Sequence, residues 1–227
     1  MHSISNYYFT SKPLLEALPP DDLNILKKKL KLLRIKKGKE LFQEGANPKG
    51  VYILKRGKVK IYHRTQSGNE QIVYIYTPGE MFGYRPLLCH GKHPTSASTL
   101  EECGIYVLSK DDFFQILSKS KLLSTILLQN LSHEFTVLVN HIATFSQKST
   151  KERIALCLLI LQEKYRKPNQ HVVEITLSRS DLASFAGTTH ETVARTISRF
   201  KSDGILQING RRISIIRQEL LYAIIDE

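Results

Sequence analysis

The chain has 227 residues and a mass of 26.0 kDa, which at about 100 to 200 residues per domain admits one large domain or two modest ones, each with its own core. With 41% hydrophobic and 24% charged residues, it is neither a disordered chain nor a fibrous one. Lys and Arg exceed Asp and Glu by 33 to 21, a net charge of +12 that favours polyanionic partners without identifying one. Cys89, Cys103 and Cys157 are odd in number and share no CxxC spacing, so neither a disulfide framework nor a structural zinc site is encoded, and a reducing compartment is expected. The longest uninterrupted apolar run, Ile154 to Leu161, is far short of the roughly 18 residues of a membrane span. The polar start MHSISNYYFT has no signal-peptide core, so the expected location is the cytoplasm, with no membrane partner.

The first predicted element is a short helix capped by Asp21, with Leu23, Leu26 and Leu30 on one face. The densest basic stretch follows, Lys27 to Lys39, and reads as the solvated face of that helix and the next strand. From Leu32 to about Leu108 the apolar residues come in short β-rich runs, VYIL at 51–54, VKIY at 59–62 and QIVYIY at 71–76. Gly38, Gly45, Gly50, Gly57, Gly68 and Gly79 punctuate them, as a compact antiparallel sandwich or roll requires, and Ser67-Gly68 looks like a hairpin tip. Beyond the roll, Leu128, Leu131, Phe135, Leu138, Ile142 and Phe145 repeat at the a/d spacing of a coiled-coil seam. Such a narrow seam meets either a second helix of its own kind, giving a dimer, or the chain's own roll. SQKST at 146–150 breaks the pattern and reads as a hinge, and Lys151 to Tyr165 is a second amphipathic helix.

The expected domains are 1–120, 121–147 and 148–227. The last holds 13 Lys and Arg against 9 acids, or +4, so net charge does not select it as the polyanion binder. The arrangement of SRSDLASFAGTTHETVARTISRFKS at 178–202 does. Ser178 or Ser180 can cap a helix containing Leu182, Ala183, Phe185 and Ala186, and Gly187 allows a tight turn. Thr189 can cap a second helix that turns Val193, Ile197 and Phe200 inward and His190, Glu191, Ala194 and Arg195 outward. Small Ala183 permits a close crossing, so the segment reads as a helix-turn-helix. Ile205 to Ile208 and Arg212 to Ile216 then flank Asn209-Gly210, a pair suited to a type I′ hairpin turn: a wing with Arg211 and Arg212 at its tip. Thr188 and Thr189 join the candidate interface at the turn. A carboxylate facing phosphates is costly unless it accepts a hydrogen bond, such as one from cytosine N4, so Glu191 and Arg195 are candidate base readers. Arg199, Lys201, Arg211 and Arg212 are candidate phosphate contacts.

Over nearly its whole length the chain resembles the CRP/FNR family of bacterial transcription regulators. The residues that carry this are the glycine-punctuated roll, GEMFGYRPLL at 79–88, the heptad helix, and the helix-turn-helix with HETVAR at 190–195. The resemblance implies an α+β fold: an N-terminal antiparallel β-roll (double-stranded β-helix), a long dimerisation helix and a C-terminal winged helix-turn-helix. It implies a homodimer that binds a palindrome in double-stranded DNA, with RNA polymerase as a further partner and a small effector in the roll. Glu191 and Arg195 match the family's ETxxR pair; the preceding arginine of cyclic-AMP binders is His190 here.

Cyclic-AMP binders carry FGE-L-[AG]-L and then R-[ST]-A. This chain has Gly83 followed by Tyr84, Arg85, Pro86 and Leu87, and later Thr95, Ser96 and Ala97. Tyr84 stands for the ribose-binding glutamate and Thr95 for the phosphate-binding arginine; Arg85 is a displaced cation at most. The cysteine cluster of iron–sulfur sensors is missing from the N-terminal segment, and His63, His90 and His93 lack HxH or cupin-like spacing and read as surface or loop histidines. No metal or cofactor is expected. No enzyme is expected either, for lack of a nucleophile elbow, P-loop or Rossmann glycine run. The alternative reading is a signalling module whose roll binds a small anion and whose C-terminal domain is a protein-interaction surface.

Overall fold

The apolar runs between glycines form strands, as their β-rich composition predicts. In the computed structural model, which describes residues 4–8, 18–66, 68–167, 170 and 172–226, these strands make two four-stranded antiparallel sheets. One has the order β1-β8-β3-β6, from Lys31–Ile35, Cys103–Ser109, Gly50–Arg56 and Met81–Phe82. The other has the order β2-β7-β4-β5, from Glu40–Phe42, Ser96–Thr99, Val59–Arg64 and Glu70–Tyr76. Sequence neighbours separated into different sheets are what make this a roll rather than a meander. Gly68 lies in the β4–β5 connection, where Thr65 N donates to Asn69 O; Ser67, the other half of the expected hairpin tip, lies outside the described residues.

Helix α1, Pro20–Lys29, packs Leu26 into the core of the roll with Val51, Ile53, Leu108 and Phe113. Asp21 is not its cap: Pro19 occupies that position, Pro20 opens the helix with its fixed φ, and Asp21 and Asp22 sit in the first turn, where they complement the helix dipole. Leu30 is the C-cap, one residue past the helix. The basic run from Lys27 to Lys39 is exposed, as expected. A four-residue helix α2, Arg85–Leu88, and helix α3, Lys110–Leu117, with Ser109 capping through Asp112 N, complete this unit.

The residues separate into two units, Thr10–His133 and Met1–Phe9 with Glu134–Glu227, dividing within the 27-residue helix α4, Lys121–Gln147. Among the described residues α4 is the helix long and apolar enough to cross a membrane by length and composition. Its exposed positions also include the polar residues Gln129, Ser132, Thr136 and Ser146.

In the second unit Ser149 caps helix α5, Thr150–Tyr165, and Glu152 closes a capping box, so the expected hinge is a two-residue break with its own hydrogen bonds. Helix α5 is buried almost all round from Ile154 to Gln162 and packs against α6, Arg179–Ala186; α7, His190–Ser202; and α8, Gln218–Asp226. A three-stranded sheet of order β10-β11-β9, from Leu206–Asn209, Arg212–Ile215 and Ile175–Thr176, completes it.

Candidate nucleic-acid interface

Ser178 is the residue that caps α6, accepting from Asp181 N at 2.9 Å. Gly187 ends the helix in the left-handed region at φ 62°, where a side chain would be strained, and the chain turns within two residues. Thr189 then caps α7, accepting from Thr192 N at 3.2 Å. Leu182, Ala183, Phe185 and Ala186 meet Val193, Ile197 and Phe200 in the interior; each large apolar side chain contributes about 1.5–3 kcal/mol by leaving water. Inward burial of one stripe decides what the opposite stripe presents: Thr189, His190, Glu191, Arg195 and Arg199 are exposed, and Thr188 and Ala194 half-buried. Glu191 in the first turn and Arg199 and Lys201 in the last also suit the helix dipole, which any solvated helix would exploit.

The wing differs by one residue from its expected register. Asn209 pairs with Arg212, so the two-residue loop is Gly210-Arg211 and not Asn209-Gly210. Gly210 has φ 58°, while Arg211 is not among the positive-φ residues, which excludes a type I′ turn, where both central residues need φ above zero. Cross-strand pairing of Ile208 with Ile213 and Leu206 with Ile215 outweighed the dipeptide preference. Arg211 is therefore in the turn itself, and Arg212 is on the strand, where its Nη1 lies 3.2 Å from Glu174 Oε2. Arg199 faces Asp203 at 3.9 Å. Sequence reasoning missed Glu174, although the alternation of buried Val173, Ile175 and Leu177 puts it on the outer face.

In the roll, Tyr84 is 1% exposed and belongs to the hydrophobic core with Leu87, while Pro86 is buried beside them. Gly83 lies against the Tyr52 ring, since a Cβ there would meet Cδ2 at 2.8 Å. Arg85 and Thr95 are half-buried; Ser96 and Ala97 are buried in β7, with Ser96 Oγ accepting from Glu44 N. Aromatic rings run on from this point: Tyr52 on Phe82 at 5.3 Å, Phe82 on Tyr76 at 4.9 Å, and Phe42 on His93 at 3.8 Å. His93 thus lies in a loop, as one of its two readings had it, but is buried there and not at the surface, and burial lowers its pKa. His63 is exposed beside Glu44 at 3.2 Å, and His90 is exposed. Among the described residues no cluster of His, Cys, Asp and Glu suits a metal ion. Glu80, also missed, is a buried carboxylate that accepts from Tyr74 OH at 2.9 Å and from Thr77 N and Oγ1 at 2.5 and 2.8 Å.

On α4, Leu128, Phe135 and Ile142 are 66%, 69% and 71% exposed, and Leu131, Leu138 and Phe145 are half-buried. Val137 and Thr144, on a different face, are buried.

A β-roll joined to a winged helix-turn-helix defines a class of DNA-binding regulators with a sensor-type domain. Residues 32–120 match the cyclic nucleotide-binding domain and residues 152–224 the Crp-like helix-turn-helix domain. The chain is 28% identical over 189 residues to the regulatory protein HlyX of Actinobacillus pleuropneumoniae, covering 82% of this chain and 78% of that one. It is equally 28% identical over 189 residues to the fumarate and nitrate reduction regulatory protein of Escherichia coli K12, covering 82% and 75%. The fold matches that of FixK2 from Bradyrhizobium japonicum with a TM-score of 0.77 at 23% identity, over 86% of this chain and 96% of the other. The chain belongs to the CRP/FNR family, and it is a DNA-binding transcription regulator.

Proposed function

We propose that two copies of the chain associate along the α4 seam and present two α7 helices to a palindromic operator, with half-sites about one helical turn, roughly 34 Å, apart. The observation that carries this reading is the outer face of α7, where Glu191 and Arg195 stand exposed one turn apart while Val193, Ile197 and Phe200 anchor the helix from below. Glu191 and Arg195 read base pairs; Thr188, Thr189 and His190 border them at the turn; Arg199, Lys201, Arg211 and Arg212 engage phosphates. RNA polymerase is the partner through which a bound regulator acts, and the cytoplasm is where it works. Cyclic AMP and cyclic GMP bind weakly or not at all, because Tyr84 is committed to the core and Thr95 brings no cation.

Selection of duplexes from a random pool tests this. The expected product is a palindrome. Arg195→Ala should relax specificity at one base pair per half-site and cost about 1–3 kcal/mol there, while Arg211→Ala weakens all duplexes alike. Equal losses on matched and mismatched duplexes for Arg195→Ala would remove it from base readout.

A further inference from the structure

The recognition helix is held at its far end by a residue that is not part of it. Helix α7 closes through Ile205 N to Phe200 O at 2.8 Å and Gly204 N to Lys201 O at 3.0 Å, with Gly204 in the left-handed region at φ 69°. From beyond the second wing strand Arg217 reaches back to this closure. Its Nε donates to Gly204 O at 3.1 Å and its Nη2 to Asp203 O. A Cβ on residue 204 would lie 2.7 Å from that Nη2, so any other residue there would push the guanidinium off its carbonyls.

One guanidinium therefore holds two consecutive carbonyls at the negative end of the α7 dipole. As a local cap this would matter only to stability. Topology gives it more reach: β10 and β11 are the chain between Gly204 and Arg217, so the grip closes the base of the hairpin whose loop is Gly210-Arg211. Backbone bonds from Ile216 N and Arg217 N to Ile205 O, at 2.9 and 3.3 Å, lie at the same base and survive loss of the side chain. The hairpin can then still pair while its angle to α7 is less fixed.

We propose that Arg217 is a positioning residue for DNA binding, which fixes the wing to the end of the recognition helix so that Arg195 and Arg211 meet the duplex together. This rests on the reading of Arg211 as a phosphate ligand. The test uses the full chain, a selected duplex, and affinity measured against KCl concentration for wild type, Arg211→Ala, Arg217→Ala, Arg217→Lys and the double alanine variant. Removing one cation from the phosphate backbone lowers the slope of log affinity on log salt by about 0.9. Arg217→Ala should lose affinity several-fold with the same reduction in slope as Arg211→Ala. The double variant should be no worse than either single, and Arg217→Lys, whose ammonium can serve the same carbonyls, should recover most of the loss. A lower melting temperature with the wild-type salt slope would make Arg217 a structural cap only and overturn the proposal. So would losses that multiply in the double variant, which would mean Arg217 touches phosphate itself. If Arg211→Ala leaves the slope unchanged, the reading of the wing fails and this inference fails with it, whereas an unchanged slope in Arg217→Ala alone overturns only the inference.

Discussion

Glu174 and Arg212 form a diagonal cross-strand pair on the outer face of the wing sheet, with side chains 46% and 61% exposed. An exposed pair of this kind stabilises a protein by about 0–1 kcal/mol. Its larger effect falls on binding, because the carboxylate competes with phosphate for one guanidinium. Glu174→Gln should therefore raise affinity for matched and mismatched duplexes alike, by up to about fivefold, and a fall in affinity would show that the pair is needed to hold Arg212 in place. Glu152 carries a different kind of residue-scale prediction. Hydrogen bonding with Ser149, and next with Lys148, holds its carboxyl down at about 2, against 4.5 unperturbed. Its folded-state pKa is depressed, so its contribution is complete above about pH 4.5 and is lost as pH falls towards 2. The difference in melting temperature between wild type and Glu152→Gln should be largest near neutrality and shrink across that window; a difference independent of pH would assign the effect to packing. Neither carboxylate was legible as important in the sequence. Ser149 and Glu152 have capping-box spacing, but the Glu174 contact exists only because β9 pairs with β11.

At the scale of elements, α4 bears out its predicted helical period, and the exposure of its stripe is what the sequence left open between a dimer and a helix laid on its own roll. Leu131 packs in part against the core of the roll, so a charge there would damage the protomer as well as any interface. Phe135 and Ile142 are better probes, since they are among the most exposed apolar side chains. Phe135→Asp with Ile142→Asp should leave the melting temperature of a protomer nearly unchanged, bury uncompensated charge in a seam, and give monomers by sedimentation that no longer bind the palindrome. A persistent dimer would place the interface elsewhere. The winged helix-turn-helix was more legible, because its caps Ser178 and Thr189, its turn glycine and its apolar period act over three or four residues. The wing loop was misplaced by one residue because register is set across strands, where pairing Ile208 with Ile213 and Leu206 with Ile215 outweighs a favourable Asn-Gly pair.

For the whole molecule, calorimetric titration with cyclic AMP and cyclic GMP should show weak binding or none. The missing carboxylate and guanidinium should cost about 2–5 kcal/mol, enough to move a micromolar ligand towards millimolar. Micromolar binding abolished by Arg85→Ala would instead make Arg85 the ligand cation. Thiol titration gives an independent check on both cores. Cys89 is exposed, while burial pushes up the pKa of the Cys103 and Cys157 thiols, so one thiol should react quickly in the native protein and all three after denaturation. Fast reaction at two or more would mean that one of the cores opens readily. By itself the sequence determined what depends on near neighbours: the strand runs between glycines, the heptad period of α4, and the caps, turn and polar face of the helix-turn-helix. Only the tertiary structure decided which face of α4 stays uncovered, that Tyr84 and His93 are interior, that Arg211 and not Asn209 occupies the wing loop, and that Glu174 and Arg217 reach the wing. The Arg217 and Glu174 contacts join residues 13 and 38 positions apart and the others depend on which sheet a strand enters, and a local pattern cannot specify them because the energy that selects them comes from burial and pairing between distant segments.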